Sequence, residues 1–519
     1  AALGVCAYAA EDTIEDKVIA GYQAWFNTEG DGSPRNEWVH WGRPEVGHLT
    51  FDAYPDVRDY SVEDLKETYF AELGNGEKSK LFSSYRAGVI DKHFEMMHDY
   101  GIDGVAVQRF GSVTINGVEE RFKNSVDILK NVKASAEKHN ELFYVMYDIS
   151  GLSEENLVED LKADWQQVIL NDLDITSSPS YAKDNGRPVV CLWGLGIREG
   201  TGEQYSELID WFHDKGCYVI GGVSKSWRDQ IAKDEAMEKA FCKLDMLSPW
   251  SVGSAKTDSD VDSDASILAA DKAYLDEKGI AYQPVMFPGF SWSNWKDNAV
   301  RNQIPRRAGD FMWRQAYNIA KQDIHCGYIA MFDEYDEGTA ILKLAEDSSM
   351  IPKDQYFITA SADGSYTSSD LYMRLAGYIP KVLRGEEEIT EEMPLLLSEG
   401  PVYFRSGFEK YFDAQPVDGN GELVKDELTY NGRYALKLNR VGGGGEMLTK
   451  LSELDFSAEK INIGISAYLA GGSAELSVGL ETADGDVLYS DLSFANGKWT
   501  YNTLTDISVA CLLYTSPSP

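Results

Sequence analysis

Residues 327–339 read GYIAMFDEYDEGT, and this stretch carries most of the fold prediction. The apolar run 328–332 has the length of a buried strand, and it ends in the acidic run 333–337. Clustered carboxylates repel one another and are costly to desolvate, so stability alone rarely places them at a core strand end. In sheets of parallel strands that end carries the active site. Glu334 and Glu337 are predicted to face one site, and paired carboxyls are typical of glycosidic cleavage.

Strand-like segments alternate with helical patterns along most of the chain. Most strand candidates are near-continuous apolar runs, as expected for parallel strands buried on both faces. Successive β-then-α units predict an α/β fold, the (β/α)8 TIM barrel. The predicted strands are 18–26, 104–110, 142–149, 188–195, 217–223, 246–252, 282–287 and 328–332. The predicted helices are 81–100, 121–139, 157–170, 203–215, 226–244, 266–278, 310–322 and 368–384.

The hydrophobic pattern of the sequence changes near residue 401. Beyond it, short alternating segments separated by Gly-rich turns predict an all-β, sandwich-like accessory domain, in which a strand is expected to be missing. The last eight residues, LLYTSPSP, resemble translated adapter sequence. The predicted organisation is a signal-peptide remnant and linker at 1–16, a catalytic barrel at 17–386, a linker at 387–400, the β domain at 401–511 and an artefactual tail at 512–519.

Composition narrows the possible partners. The net charge of −37 argues against nucleic acid and anionic membranes. The chain contains 12 Trp and 29 Tyr, which fit sugar binding and fit a large aromatic core equally well. No later stretch reaches the roughly 18 apolar residues of a membrane helix. We therefore expect a monomer that acts on carbohydrate.

The first ten residues, AALGVCAYAA, resemble the end of a secretory signal, with a small-x-small site at 7–9. Residues 3–6 also resemble a lipoprotein cleavage box, which would leave a lipid anchor on Cys6. Both interpretations predict an extracytoplasmic location: secreted, periplasmic or anchored at the cell surface. The remaining cysteines contain no Cys-x-x-Cys pair, so free thiols are expected rather than a disulfide scaffold.

Residues at the carboxyl ends of barrel strands converge on one rim. In this chain they combine aromatic rings with a few charged groups, which is typical of a sugar cleft. Each Trp could equally pack in the core, Arg109 could pair with a buried acid, and Asp148 could cap the following turn. The predicted substrate-binding residues from this pattern are Tyr22, Trp25, Trp41, Arg109, Asp148, Trp193, Trp250, Trp292 and Asp333.

Other chemistries find little support. The sequence contains no His-Glu-x-x-His set, no Gly-x-Ser-x-Gly elbow and no phosphate-binding loop after a strand. The acidic run 258–264 lacks the Gly and Glu of a calcium loop, and we expect a solvated loop that leads into a helix. Neither a metal nor a cofactor is predicted.

At these residues the chain resembles bacterial glycoside hydrolases of the family 71/99-like group and, more distantly, family 99 endo-α-mannosidases. EYDEGT at 334–339 is similar to the family 99 signature Glu-Trp-His-Glu-Gly-Thr, with Tyr335 in place of Trp and Asp336 in place of His. His40 and Trp41 match a His-Trp that follows the first strand. The other similar segments are GYQAWF at 21–26, GIDGV at 101–105, QIPR at 303–306 and WRQ at 313–315.

The resemblance implies a mechanism on α-mannosides with retention of configuration. In family 99 neither glutamate attacks the sugar: the first takes the proton of the 2-hydroxyl, which closes a 1,2-anhydro intermediate, and the second protonates the leaving oxygen. Carried over, Glu334 is the base and Glu337 the acid, with His40 and Asp336 binding substrate. The alternatives are an inverting family 71-like glucanase that uses Asp148 and a catalytically silent carbohydrate-binding barrel.

Overall fold

The structure is a computed structural model. It describes residues 13–115 and 117–398, and beyond these residue 497 and the segments 421–425, 434–438, 460–470, 476–481, 487–492 and 499–508. The predicted signal remnant with Cys6 and the predicted tail lie outside the described residues. No helix in the described part is both long and apolar enough to cross a membrane.

A curled parallel sheet forms the centre of the molecule. Its strands run in the order β7-β6-β5-β4-β3-β2-β1-β9-β8, and every pairing along this path is parallel. The strands are β1 Val18–Tyr22, β2 Gly104–Phe110, β3 Leu142–Asp148, β4 Arg187–Leu195, β5 Tyr218–Ser224, β6 Met246–Trp250, β7 Ala281–Tyr282, β8 Val285–Met286 and β9 Gly327–Ile329.

The two ends of the sheet belong to one stretch of chain. β7 pairs with β6 at one end of the sheet, and β8 pairs with β9 at the other end. Only Gln283 and Pro284 separate β7 from β8 in the sequence. Pro284 has no N–H to donate, so the ladder breaks there. The curled parallel sheet, with helices between the strands, is consistent with the predicted TIM-like barrel, although the predicted strand 282–287 is divided into β7 and β8.

Helices lie in each of the predicted helical regions, but the predicted helix 81–100 begins only at Ala87, after the strand Lys80–Phe82, and the predicted helix 226–244 is two short helices. They are α1 Ala87–Tyr100, α2 Glu119–His139, α3 Leu157–Asp164, α4 Gly202–Asp214, α5 Trp227–Ile231, α6 Glu235–Phe241, α7 Asp258–Lys278, α8 Asp310–Ala320 and α9 Leu371–Leu383. A π-helical segment, Trp165–Asp172, continues α3.

The acidic run 258–264 is helical, which corrects the loop prediction. Thr257 caps α7 by accepting a hydrogen bond from the Asp260 backbone N–H, and the Asp260 carboxylate accepts one from the Thr257 backbone. This capping box satisfies N–H groups that have no partner within the helix. Carboxylates in the first turn are also favoured by the helix dipole, so the acids stabilise the start of α7.

The insertion between β1 and α1 packs against the loop after β9. A short hairpin of Leu65–Glu67 and Lys80–Phe82 lies within it. The backbone N–H groups of Asp52 and Ala53 both donate to the Tyr335 carbonyl, at 3.0 and 3.1 Å. The insertion is therefore attached directly to the acidic motif.

In the predicted β domain, the described strands form three antiparallel pairs. They are Gly421–Lys425 with Tyr434–Leu438, Lys460–Tyr468 with Trp499–Ser508, and Leu476–Glu481 with Val487–Leu492. These pairs are all-β, and assembly into a sandwich stays a prediction. The thiols of Cys191, Cys217, Cys242 and Cys326 are free, as expected.

We predict that Gly377→Ala destabilises the fold, although Ala favours helix over Gly by about 1 kcal/mol. Gly377 lies in α9 where it crosses the end of α1, and an added Cβ would lie 1.7 Å from the Tyr100 carbonyl oxygen. Forcing atoms into such a contact costs roughly 1–3 kcal/mol. Urea unfolding measures the change, and an increase in the free energy of unfolding would contradict this prediction.

Candidate functional site

A cavity of about 460 Å³ lies beyond the carboxyl ends of β1 and β9. Its volume is within the range of small-molecule sites. It contains five residues predicted from sequence, which come from three separate parts of the chain. Its lining residues are Trp25, His40, Gly42, Arg43, His48, Thr50, Trp295, Glu334, Asp336 and Glu337.

The acidic motif is held in a closed turn. The Glu334 carbonyl accepts hydrogen bonds from the backbone N–H groups of Thr339 and Ala340, at 3.0 and 2.8 Å. The buried Arg306 guanidinium donates to the carbonyls of Gly338 and Ala340, at 2.8 and 2.7 Å. Because both arms of the turn are fixed, residues 334–337 present their carboxyls in a defined arrangement.

Glu334 is 4% exposed, and both of its carboxyl oxygens are hydrogen bonded. Oε2 accepts from the Gln23 amide at 2.8 Å, and Oε1 accepts from the backbone N–H groups of Asp336 and Glu337 at 3.1 and 3.4 Å. Burial and then the charges of neighbouring carboxyls raise the pKa of Glu334. The three donors act in the opposite direction, since they favour the ionised form.

Glu337 lines the same cavity and is partly exposed. Burial raises the pKa of Glu337 to about 7, while the nearby Lys296 ammonium opposes the rise. Its backbone carbonyl accepts a hydrogen bond from the Ser291 N–H at 2.8 Å, which ties it to the loop after β8. A carboxyl of this kind is protonated in a substantial fraction of molecules at neutral pH and can donate its proton.

Between the two glutamates, Asp336 pairs with His40. The His40 Nδ1 lies 2.6 Å from Asp336 Oδ2. Burial raises the pKa of Asp336 and lowers that of His40, so burial favours the uncharged form of each group. Asp336 Oδ1 is buried and has no hydrogen-bond partner among the described residues. A buried acceptor without a partner is costly.

Asp333 has a positioning role. Its side chain is fully buried and accepts hydrogen bonds from the backbone N–H groups of Gln23 and Ala24, at 2.7 and 2.8 Å. Burial raises the pKa of Asp333 to about 7. Ala24 has a φ of 49°, an uncommon conformation for a residue with a side chain. The carboxylate thus fixes the turn that presents Gln23 to Glu334, which corrects the prediction that Asp333 binds substrate.

Trp25 lines the cavity as predicted, but two neighbours already stack on its ring. The His40 ring lies 3.6 Å away, centroid to centroid, at an interplanar angle of 8°. Phe110, the last residue of β2, stacks on it at 5.2 Å. Trp25 therefore contributes a wall of the cavity and orients His40, rather than offering an open face to a sugar.

Asp52 holds the loop after β8 against the cavity. Its carboxylate accepts from the Ser291 hydroxyl at 2.6 Å and from the backbone N–H groups of Ser293 and Asn294, at 2.8 and 2.7 Å. Asp52 is fully buried. These bonds order the segment that carries Trp295 to the cavity.

Several predicted aromatic residues lie elsewhere. Trp41 is fully buried, where its indole N–H donates to the Phe82 carbonyl, and Tyr22 is fully buried, where its hydroxyl bonds His93. Both belong to the core, which corrects their predicted role in the cleft. Trp193 and Trp250 pack edge to face at 5.2 Å, and neither they nor Trp292 line the cavity.

The two charged residues from β2 and β3 have the alternative roles that the sequence left open. Arg109 makes a two-pronged ion pair with Asp164, at 2.7 and 2.6 Å, and both side chains are buried. Asp148 accepts a hydrogen bond from the Ser150 backbone N–H at 2.8 Å and does not line the cavity. The ion pair gives Arg109 a structural role, and the hydrogen bond lets Asp148 cap the turn at Ser150; contact of Asp148 with substrate stays a prediction.

Sequence reasoning missed Arg43, His48, Thr50 and Trp295, which line the cavity from two loops. These residues sit in irregular segments, so no periodicity marked them. Lys296, whose ammonium lies 4.1 Å from the Trp295 ring centroid, was also missed. The described residues contain no group of three or more His, Cys, Asp or Glu side chains that could hold a metal ion.

Comparison with known proteins supports the fold. No protein-family model matches the sequence. No curated protein sequence matches it. A structure of the GH99 endo-α-mannosidase from Bacteroides thetaiotaomicron aligns at a TM-score of 0.53 and 14% identity, and covers 72% of this chain and 99% of that one. A structure of this enzyme in complex with BIS-TRIS-propane aligns at 0.52, with the same identity and coverage. The chain thus shares the fold of GH99 endo-α-mannosidase structures, which confirms the distant resemblance found in its sequence.

Proposed function

We propose that this protein is a glycoside hydrolase that cleaves O-glycosidic bonds in an oligo- or polysaccharide. The observation that carries the proposal is the pair Glu334 and Glu337 in one cavity. Glu337 has the raised pKa of a general acid. Glu334 is fixed by three donors beside it. The shared fold with GH99 structures agrees with this assignment.

We further propose an α-mannoside-type substrate and retention through a 1,2-anhydro sugar. Glu334 takes the proton of the 2-hydroxyl, the O2 electron pair attacks C1, and the C1–O bond to the leaving group breaks. Glu337 gives its proton to the leaving oxygen. Water then opens the intermediate at C1: Glu337 takes a proton from the water, and Glu334 returns its proton to O2.

The geometry of the site disfavours the two alternative functions, an inverting glucanase and a silent carbohydrate-binding protein. An inverting reaction with Asp148 as base would need that carboxylate to face the cavity, and Asp148 is not among the residues that line it. A silent binding protein has no need of a carboxyl with a pKa near 7 beside a second buried carboxyl. We propose an extracytoplasmic location, on the basis of the N-terminal sequence alone.

A glycan panel scored for released reducing ends tests the activity. Proton NMR of the first-formed product then distinguishes the stereochemical routes, since retention supports the anhydro pathway and inversion supports the family 71-like alternative. The absence of hydrolysis across α-mannans, α-glucans and β-mannans would favour the silent binding protein.

We predict that kcat/KM falls as pH rises through about 7, because Glu337 must be protonated to act as the acid. Removing the Lys296 cation removes an influence that lowers this pKa, so Lys296→Gln should move the alkaline limb of the pH profile to higher pH. Lys321→Gln is a matched control, because its ammonium lies over Tyr317 on α8. A profile that is identical in wild type and Lys296→Gln would contradict the prediction.

A further inference from the structure

The cavity has a second set of charged groups beyond its carboxyls. Arg43 and His48 line it from the insertion after β1, and both are exposed, whereas Glu334 is almost completely buried. The two basic side chains therefore lie at the solvent side of the site, and the carboxyl pair lies at its inner side. The acid–base mechanism does not use either of them.

The local backbone fixes Arg43 and His48 as a pair. The Arg43 N–H donates to the His48 carbonyl at 2.6 Å, and the His48 N–H donates to the Arg43 carbonyl at 3.2 Å. Residues paired in this antiparallel manner project their side chains to one face. Gly42 has a φ of 81°, and a Cβ there would lie 2.3 Å from the His48 carbonyl oxygen, so the turn depends on glycine.

The chain carries 85 Asp and Glu residues against 48 Lys and Arg residues. Several cations pair with acids: Arg314 contacts Asp262 at 2.6 Å, and Lys343 contacts Asp59 at 2.8 Å. Within the described residues, neither Arg43 nor His48 has a carboxylate within 4.0 Å, even though Glu45 lies in the same turn. Because no described carboxylate pairs with it, the Arg43 guanidinium beside the cavity is available to a ligand.

The loop after β8 adds an aromatic surface. Trp295 is 46% exposed and lines the same cavity. The Lys296 ammonium lies over its ring, and no described carboxylate pairs with that ammonium either. Exposed tryptophan beside cations suits a sugar ring that carries a negative group, because the ring stacks while the cations bind the charge.

We propose that Arg43, His48, Trp295 and Lys296 form a subsite for an anionic sugar unit, one that carries a carboxylate, sulfate or phosphate group. This anion subsite holds the unit next to the sugar that is cleaved, and in that respect it rests on the proposed function. Hydrogen bonds between Arg43 and an oxyanion are charge-assisted and stronger than those to neutral hydroxyls. The substrate would then be an acidic polysaccharide rather than a neutral one.

Binding to matched polymers tests the anion subsite without turnover. The Glu337→Gln variant is titrated with three acidic polymers and their neutral counterparts: phosphorylated yeast mannan and dephosphorylated mannan, polygalacturonate and its carboxyl-reduced form, and chondroitin sulfate and a desulfated, carboxyl-reduced form. At least one acidic polymer should bind about tenfold more tightly than its counterpart, a difference that falls as salt rises. The pair that shows the difference identifies the anionic group.

A double substitution, Arg43→Gln with His48→Gln, should remove this preference, so that the acidic polymer and its neutral counterpart bind with equal affinity. Arg121→Gln is the matched control, because Arg121 is an exposed arginine on α2. Equal affinity for every acidic polymer and its counterpart would overturn the proposal, as would a preference that survives the double substitution.

The two proposals can fail separately. A preference for an acidic polymer that the double substitution removes, without any hydrolysis by the wild-type protein, would leave the anion subsite standing and the hydrolase proposal refuted. Hydrolysis with the same kcat/KM on an acidic polymer and its neutral counterpart would support the hydrolase proposal and refute the anion subsite.

Discussion

Replacing Glu337 with Gln is expected to lower kcat/KM by about 10²- to 10⁴-fold on a natural glycan, because a general acid contributes that much to the rate. Glutamine keeps the size of the side chain and its place in the cavity, but it has no acidic proton to give to the leaving oxygen. The loss should be much smaller with an aryl glycoside whose leaving group is already a weak base. Initial rates on the two substrates measure this difference.

The Glu337→Gln variant should also lose the alkaline limb of the pH profile, since that limb reports the titration of Glu337. Glu155→Gln is a suitable control, because Glu155 is exposed and lies outside the cavity. Full activity of Glu337→Gln on the glycan would remove Glu337 from the role of acid. Equal losses on both substrates would indicate a structural effect instead.

The electrostatics of the site favour one ionised glutamate beside one protonated glutamate. Like charges at short range disfavour simultaneous ionisation, and both carboxyls are largely buried. Glu334 has three N–H donors, which favour its ionised form. Glu337 accepts no described side-chain hydrogen bond that would do the same, and burial keeps its proton in place. Burial raises the pKa of both carboxyls, so the assignment of Glu334 as the base rests on its three N–H donors and on the sequence resemblance.

Local patterns predicted the parts of the molecule that depend on local forces. The apolar run that contains β9 and the acids after it lie adjacent in sequence, so the position of Glu334 and Glu337 follows from strand geometry. The start of α7 could also have been predicted from sequence, since Thr257 and Asp260 have the spacing of a capping box. The loop prediction there gave too much weight to the density of charge.

The walls of the cavity depend on contacts that are distant in sequence. His40 and Trp41 are neighbours, yet His40 reaches the cavity with a φ of 61°, whereas Trp41 turns into the core and bonds Phe82. Asp52 acts on a loop that follows it by 239 residues. Because one sequence carries no record of such contacts, Trp295 and Arg43 could not be assigned to the site from it.

The Arg109–Asp164 ion pair illustrates how the core supports the site. Arg109 precedes Phe110, whose ring stacks on Trp25 at the cavity wall. Asp164 also accepts a hydrogen bond from the Tyr147 hydroxyl at 2.6 Å, so one carboxylate joins β2, β3 and α3. Burying two charges is favourable only with such complete pairing, and removal of one partner is therefore expected to be costly.

We predict that Asp164→Asn lowers the free energy of unfolding by about 3–5 kcal/mol, because it leaves the Arg109 guanidinium buried without a counter-charge. Urea denaturation measures the loss. Glu119→Gln, which breaks the exposed pair with Lys123, is the matched control and should cause no measurable change. Replacing both buried partners with apolar residues, as in Arg109→Met with Asp164→Leu, should recover much of the loss, because no unpaired charge remains. If Asp164→Asn is no more harmful than Glu119→Gln, water reaches Arg109, and the pair does not hold the three elements together.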